Sequence, residues 1–168
     1  MSDSILVAYA TRYGSTQEVA EQIAATLCEC GLQVDLRPAR EVRTLDEYDA
    51  VVLGAALYIY RWHRDARRFL SRHRKALLDR RVAVFALGPT QDEEEQFQDA
   101  RSQLDKALAS FPWFSPTTVE VFGGKFDPAK LPFPINRFAG GEPASDIRDW
   151  DAIRAWARDL PEKLRLSE

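Results

Sequence analysis

The sequence predicts a doubly wound α/β fold, an open parallel sheet of five strands with helices on both faces. Three observations carry this reading. Short, nearly continuous apolar runs of strand length recur along the chain, segments with apolar residues at helical spacing separate most of them, and the joints are marked by glycine, proline or hydroxyl residues. A length of 168 residues with 45% hydrophobic and 11% aromatic content suits a single domain over residues 1–168.

Ser4 to Ala10 (SILVAYA) is the first strand, apolar throughout, as a strand buried on both faces must be. A helix follows, with Ala20, Ile23, Ala24 and Leu27 on one face and Gly31 as its stop. Gln33 to Pro38 forms a short second strand and Ala50 to Gly54 a buried third. Arg64 to Leu78 places Ala66, Phe69, Leu70 and Leu77 at helical spacing. Arg81 to Leu87 (RVAVFAL) is the fourth strand, ended by Gly88 and Pro89. Glu95 to Ser110 is a helix burying Phe97, Ala100, Leu104 and Leu108, and Thr117 to Phe122 is the fifth strand. After a loop rich in glycine and proline, Trp150, Ile153, Trp156, Ala157 and Leu160 mark a closing helix that Pro161 bends or ends.

A net charge of −3 and a pI near 5.5 argue against nucleic acid as a partner. Charge is uneven, however: Arg61 to Arg81 holds eight Arg and one Lys against two Asp, whereas Asp92 to Glu95 is wholly acidic. The start of the chain lacks the pattern of a signal peptide, and the longest apolar run, Val51 to Tyr60, is too short to span a bilayer. The expectation is a cytoplasmic protein with at most peripheral membrane contact. Cys28 and Cys30, two apart on a helix, point in nearly opposite directions and suit neither a metal nor a disulfide.

The turn after the first strand carries the chemistry. In an open parallel sheet, ligands bind beyond the carboxyl ends of the strands. Thr11, Arg12, Tyr13, Gly14, Ser15 and Thr16 occupy that place, where backbone amides and a helix N-terminus converge on an anion. Thr11, Ser15 and Thr16 add hydroxyl donors, Gly14 admits close approach, and Arg12 adds long-range attraction. Neither Gly-X-Gly-X-X-Gly nor Gly-Lys-Ser/Thr is present in this turn, and Ser15 does not sit in a Gly-X-Ser-X-Gly elbow. What remains is a cradle for one phosphate, or a plain helix cap with polar decoration.

Thr-Arg-Tyr-Gly-Ser-Thr resembles the Thr/Ser-X-Thr-Gly-X-Thr phosphate loop of flavodoxins, with Tyr13 where a threonine is usual. The stretches "YDAVVLGAALYIYRWH", "FGGKFDPAKLPF" and "DWDAIRAWA" resemble the branch of flavodoxin-domain proteins related to menaquinone-dependent protoporphyrinogen oxidase. The resemblance implies strand order 2-1-3-4-5 and FMN as the ligand. It also implies a flavin loop after the third strand, over Ala56, Leu57, Tyr58, Tyr60 and Trp62, and a second wall after the fourth, over Gly88, Pro89, Thr90 and Gln91. Each aromatic could equally be a core or lid residue, and backbone amides of the second wall could bond the flavin's pyrimidine edge.

His73 falls one turn after Phe69 and Leu70 and reads as a packed structural residue, while His63 adjoins the flavin loop. No side chain is assigned as a catalytic acid or base, and the two histidines make no metal site. The resemblance leaves three functions open. One is an enzyme oxidising protoporphyrinogen and passing electrons to a quinone, with the basic Arg61 to Arg81 segment facing propionates or an acidic membrane. Another is an electron carrier docking to redox proteins, and the third is a reductase fed by NAD(P)H. The segment "FDPAKLPFPINRFAGGEPASDIRD" departs from the long apolar and basic insertion of the resembling oxidases. Its prolines and glycines predict a mobile stretch from Asp127 to Ser145, with Leu131, Phe133, Ile135 and Phe138 as its bulky apolar groups.

Overall fold

The structure, a computed structural model, describes residues 3–58, 61–127 and 144–167. The elements are β1 (Ser4–Ala10), α1 (Ser15–Glu29), β2 (Gln33–Pro38), a 3-10 turn (Ala39–Glu41), β3 (Ala50–Tyr58), β4 (Arg61–Trp62), α2 (Arg64–Arg72) and α3 (Arg74–Leu77). They continue with β5 (Arg81–Leu87), α4 (Glu94–Ala109), β6 (Thr118–Phe122), β7 (Lys125–Phe126), β8 (Ser145–Asp146) and α5 (Trp150–Lys163).

Five strands pair in parallel in the order β2-β1-β3-β5-β6. β4 adds an antiparallel hairpin to the end of β3, with Leu57 opposite Trp62 and Tyr58 opposite Arg61. With that hairpin discounted, the order is the predicted 2-1-3-4-5. β7 and β8 form a separate antiparallel ribbon.

The period-2 alternation of the strands divides the core into two layers. Ile5, Val7, Val52, Ala83 and Phe85 face one way and pack with Val19, Ile23 and Leu27 of α1 and Ile153, Trp156 and Leu160 of α5. Leu6, Ala8, Leu53, Val82 and Val84 face the other way, against Phe69 and Leu70 of α2, Leu77 of α3 and Leu104 of α4. Gly54 lies beside Phe85 in the register, and a Cβ there would come within 1.9 Å of the Phe85 ring. Phe85 thereby reaches Phe122 and Trp156, with ring centroids 6.1 and 6.0 Å away.

Two predicted helices differ in detail. The predicted helix from Arg64 to Leu78 is broken at His73, whose backbone (φ −104°, ψ 19°) leaves the helical range. The closing helix runs through Pro161 to Lys163 rather than stopping there. The ends of the described chain meet: Asp3 N–H donates to the Ser167 carbonyl at 2.9 Å, and Ser167 N–H donates to the Asp3 carboxylate at 2.8 Å. No helix among the described residues is long and apolar enough to cross a membrane.

Candidate functional site

A cavity of about 140 Å³ opens beyond the carboxyl ends of the strands. Arg12, Tyr13 and Ser15 supply one wall, Ala56, Leu57 and His63 a second, Leu87, Gly88 and Thr90 a third, and Gly124, Lys125, Phe126 and Asp127 the fourth.

The turn from Thr11 to Thr16 has the backbone geometry and donors that an anion cradle requires. Gly14 takes φ +91°, a left-handed value that disfavours any side chain, while a Cβ there would meet no protein atom within 4 Å. The Thr11 hydroxyl accepts the Gly14 N–H at 2.9 Å, which closes the turn. No side chain caps α1. The donors of its first turn therefore face the cradle end without a side-chain acceptor of their own. Thr16 is fully buried, yet its Oγ1 has no hydrogen-bond partner among the described residues. Uncapped amides beside a buried hydroxyl without a partner match the donor set a phosphate monoester requires, and the residues present thus fit the phosphate of FMN.

The second wall is set by the β3–β4 hairpin. Antiparallel pairing with Leu57 turns Trp62 inward, where it is 1% exposed and its Nε1–H donates to the Ala55 carbonyl at 3.2 Å. Trp62 is thus a core residue and does not line the cavity. The Tyr58 backbone closes β3, and Tyr60 lies outside the described residues. His63, in contrast, lines the cavity and caps α2, its Nδ1 accepting the Asp65 N–H at 3.0 Å. A neutral ring bonded in this way carries its proton on Nε2. Burial pushes the imidazole below its ordinary value, against the pull of Asp65.

In the third wall the backbone donors are mostly committed. Gly88 N–H donates to the Phe122 carbonyl at 3.3 Å, and Pro89 has no N–H but accepts from Gly124 N–H at 2.6 Å. Gln91 turns away, its N–H and side chain both bonded to Gln96 of α4. Of the three backbone N–H groups in Gly88–Gln91, that of Thr90 alone has no acceptor among the described residues.

The fourth wall has no counterpart among the predicted site residues. The Pro89 bond to Gly124 and the Ile147 N–H bond to the Gly124 carbonyl, at 3.1 Å, hold it against the third. Arg148 was likewise not foreseen. Its side chain is 4% exposed, forks onto Asp146 at 2.9 and 2.8 Å, donates to the Ser15 carbonyl at 3.3 Å and lies 3.6 Å from Glu18. It stacks over Trp150, 4.8 Å from the ring centroid, and so ties the returning chain to the first turn of α1. This guanidinium holds the Asp146 carboxyl below its usual range. Nothing in the spacing of Asp146 and Arg148 announces a partner 133 residues earlier. The stretch from 128 to 143, with Leu131, Phe133, Ile135 and Phe138, lies outside the described residues.

His73 packs as predicted. It is buried, stacks on Phe69 with centroids 4.6 Å apart, and its Nε2 lies 3.2 Å from the Val42 carbonyl. Cys28 is exposed and Cys30 half-buried, both as free thiols.

The flavodoxin domain family matches residues 6–137. Protoporphyrinogen IX dehydrogenase (quinone) of Escherichia coli strain K12 is 25% identical over 172 residues, covering 92% of this chain and 93% of that protein. Among solved structures, oxidised flavodoxin 2 from Bacillus cereus superposes with a TM-score of 0.62 at 22% identity, over 95% of this chain and 99% of that one. A flavodoxin from the domain Archaea superposes with a TM-score of 0.60 at 14% identity, over 96% and 99%.

Proposed function

The chain belongs to the flavodoxin domain family, with FMN as the indicated cofactor, and from that premise we propose an oxidoreductase that passes electrons from a reduced organic substrate to a quinone. The observation that carries this reading is the extent of the similarity to protoporphyrinogen IX dehydrogenase (quinone). It runs over 92% of this chain and 93% of that one, well beyond the phosphate turn. Protoporphyrinogen or a related porphyrinogen is the substrate class this suggests.

Bound FMN supplies the hydride and electron chemistry. The turn from Thr11 to Thr16 holds its phosphate through backbone amides and hydroxyls. Leu57 and Phe126 offer apolar surface along the cavity, and Thr90 N–H is the backbone donor available to a polar ring edge. His63, kept neutral by burial, presents a hydrogen-bond donor rather than a strong acid.

The test is to purify the protein, identify the flavin released on denaturation, and follow its absorbance anaerobically. Protoporphyrinogen IX should bleach the oxidised flavin, and a naphthoquinone should restore its colour over many turnovers. A protein that retains FMN and exchanges electrons only with a protein partner would be a carrier, and the oxidoreductase reading would fall.

A further inference from the structure

Beside the cavity lies a second cleft, of about 480 Å³, which shares Arg12 and His63 with it. Arg61 and Trp62 of β4 and Arg64 and Arg67 of α2 complete its lining. Four of these six residues are arginines, and none is acidic. Asp65, the one carboxylate in this stretch of chain, lines a different hollow with Arg40. Arg67 is held in place by donating from Nε to the Trp62 carbonyl at 3.2 Å, whereas Arg61 and Arg64 are exposed and form no ion pair among the described residues.

Guanidinium groups gathered round one cleft repel each other unless an anion joins them, and their planar forks match carboxylate oxygens in pairs. The field is felt by a neighbour: after burial and the opposing pull of Asp65, Arg64, Arg12 and Arg67 each push the His63 imidazole further down. Because the two hollows share Arg12 and His63, a molecule seated in the cleft would lie beside whatever fills the cavity.

We propose that the arginine cleft is a subsite for the carboxylates of the redox substrate, seating them at Arg61, Arg64 and Arg67 so that the oxidisable or reducible part lies against the flavin held in the adjoining cavity. This rests on reading the cavity as an oxidoreductase site. The subsite would sort substrates by charge before any electron moves, and its contribution would weaken with salt because Arg61 and Arg64 are exposed.

A matched pair of probes tests it: 3-(1,4-naphthoquinon-2-yl)propanoate and its methyl ester, applied to the FMN-loaded protein and to the Arg61→Gln/Arg64→Gln variant. Calorimetry on the oxidised protein reads binding without turnover, and rapid mixing of the reduced protein reads flavin reoxidation. In the unsubstituted protein the acid should bind about tenfold more tightly than the ester at low salt, and the double variant should erase that preference. Ester binding and flavin content should stay level, and Arg61→Lys/Arg64→Lys should restore part of the preference. Equal binding of acid and ester by the unsubstituted protein, or equal weakening of both in the glutamine variant, would overturn the subsite. Failure of the ester to reoxidise the flavin would count against the oxidoreductase reading alone, because the calorimetric comparison does not depend on turnover.

Discussion

Thr16 offers a test that separates fold from ligand binding. A buried hydroxyl without a partner costs about 1–3 kcal/mol, so in the ligand-free protein Thr16→Val should leave stability unchanged or raise it. The same change should weaken FMN binding by about tenfold. Calorimetric melting of the apoprotein and a flavin fluorescence titration read the two effects. A fall in both would make the hydroxyl structural. The tight turn at Gly14 is legible in the sequence because glycine between hydroxyl residues marks a positive-φ joint before a helix. Trp62 is not, because an aromatic just past a strand suits a ligand wall and a core equally well. The two-residue pairing of β4 with β3 decides between them by turning the indole inward. Gln91 shows the same limit, since its bonds to Gln96 depend on where α4 begins.

Among the elements, three strands are readable to the residue, whereas β3 runs on from the predicted end at Gly54 to Tyr58. Ser4–Ala10, Gln33–Pro38 and Arg81–Leu87 are bounded by turn formers that leave little room for drift. β4, β7 and β8 span two residues each, too short to show any periodicity. The break between α2 and α3 also escaped, because Leu70 and Leu77 sit two turns apart whether or not the helix is continuous. His73, at that break, links stability to pH. Burial depresses its imidazole below the ordinary 6.5, so below that pH the unfolded chain takes up a proton that the folded one resists. Stability present in full above pH 6.5 should decline as pH falls from there towards the depressed value. Denaturant unfolding between pH 7 and 5 should show this slope, and His73→Gln should flatten it. His63, depressed in the same direction, should supply the slope that remains.

For the molecule as a whole, the packing of the α5 layer on the sheet depends on Gly54, which leaves room for the ring of its register neighbour Phe85. A methyl group at Gly54 would enter the Phe85 ring, which touches both Phe122 and Trp156, so the strain would pass to the α5 layer. Gly54→Ala should cost about 1–3 kcal/mol, a fall of roughly 2–10 °C in melting temperature, and Phe85→Leu in the same chain should recover part of it. A melting curve unmoved by Gly54→Ala would show that the ring can step aside. The clasp between Asp3 and Ser167 lies at the amino-end floor of the sheet, opposite the cavity at the strands' carboxyl ends. Chain continuity and architecture are therefore separable. A short peptide joining residue 167 to residue 3 would make the polypeptide circular without crossing the sheet. New ends cut between Arg43 and Thr44, both exposed, would open it where no strand or helix is severed. Such a circular permutant would keep the same strand neighbours and the same turn, but β1, α1 and β2 would be synthesised after β3, β5 and β6.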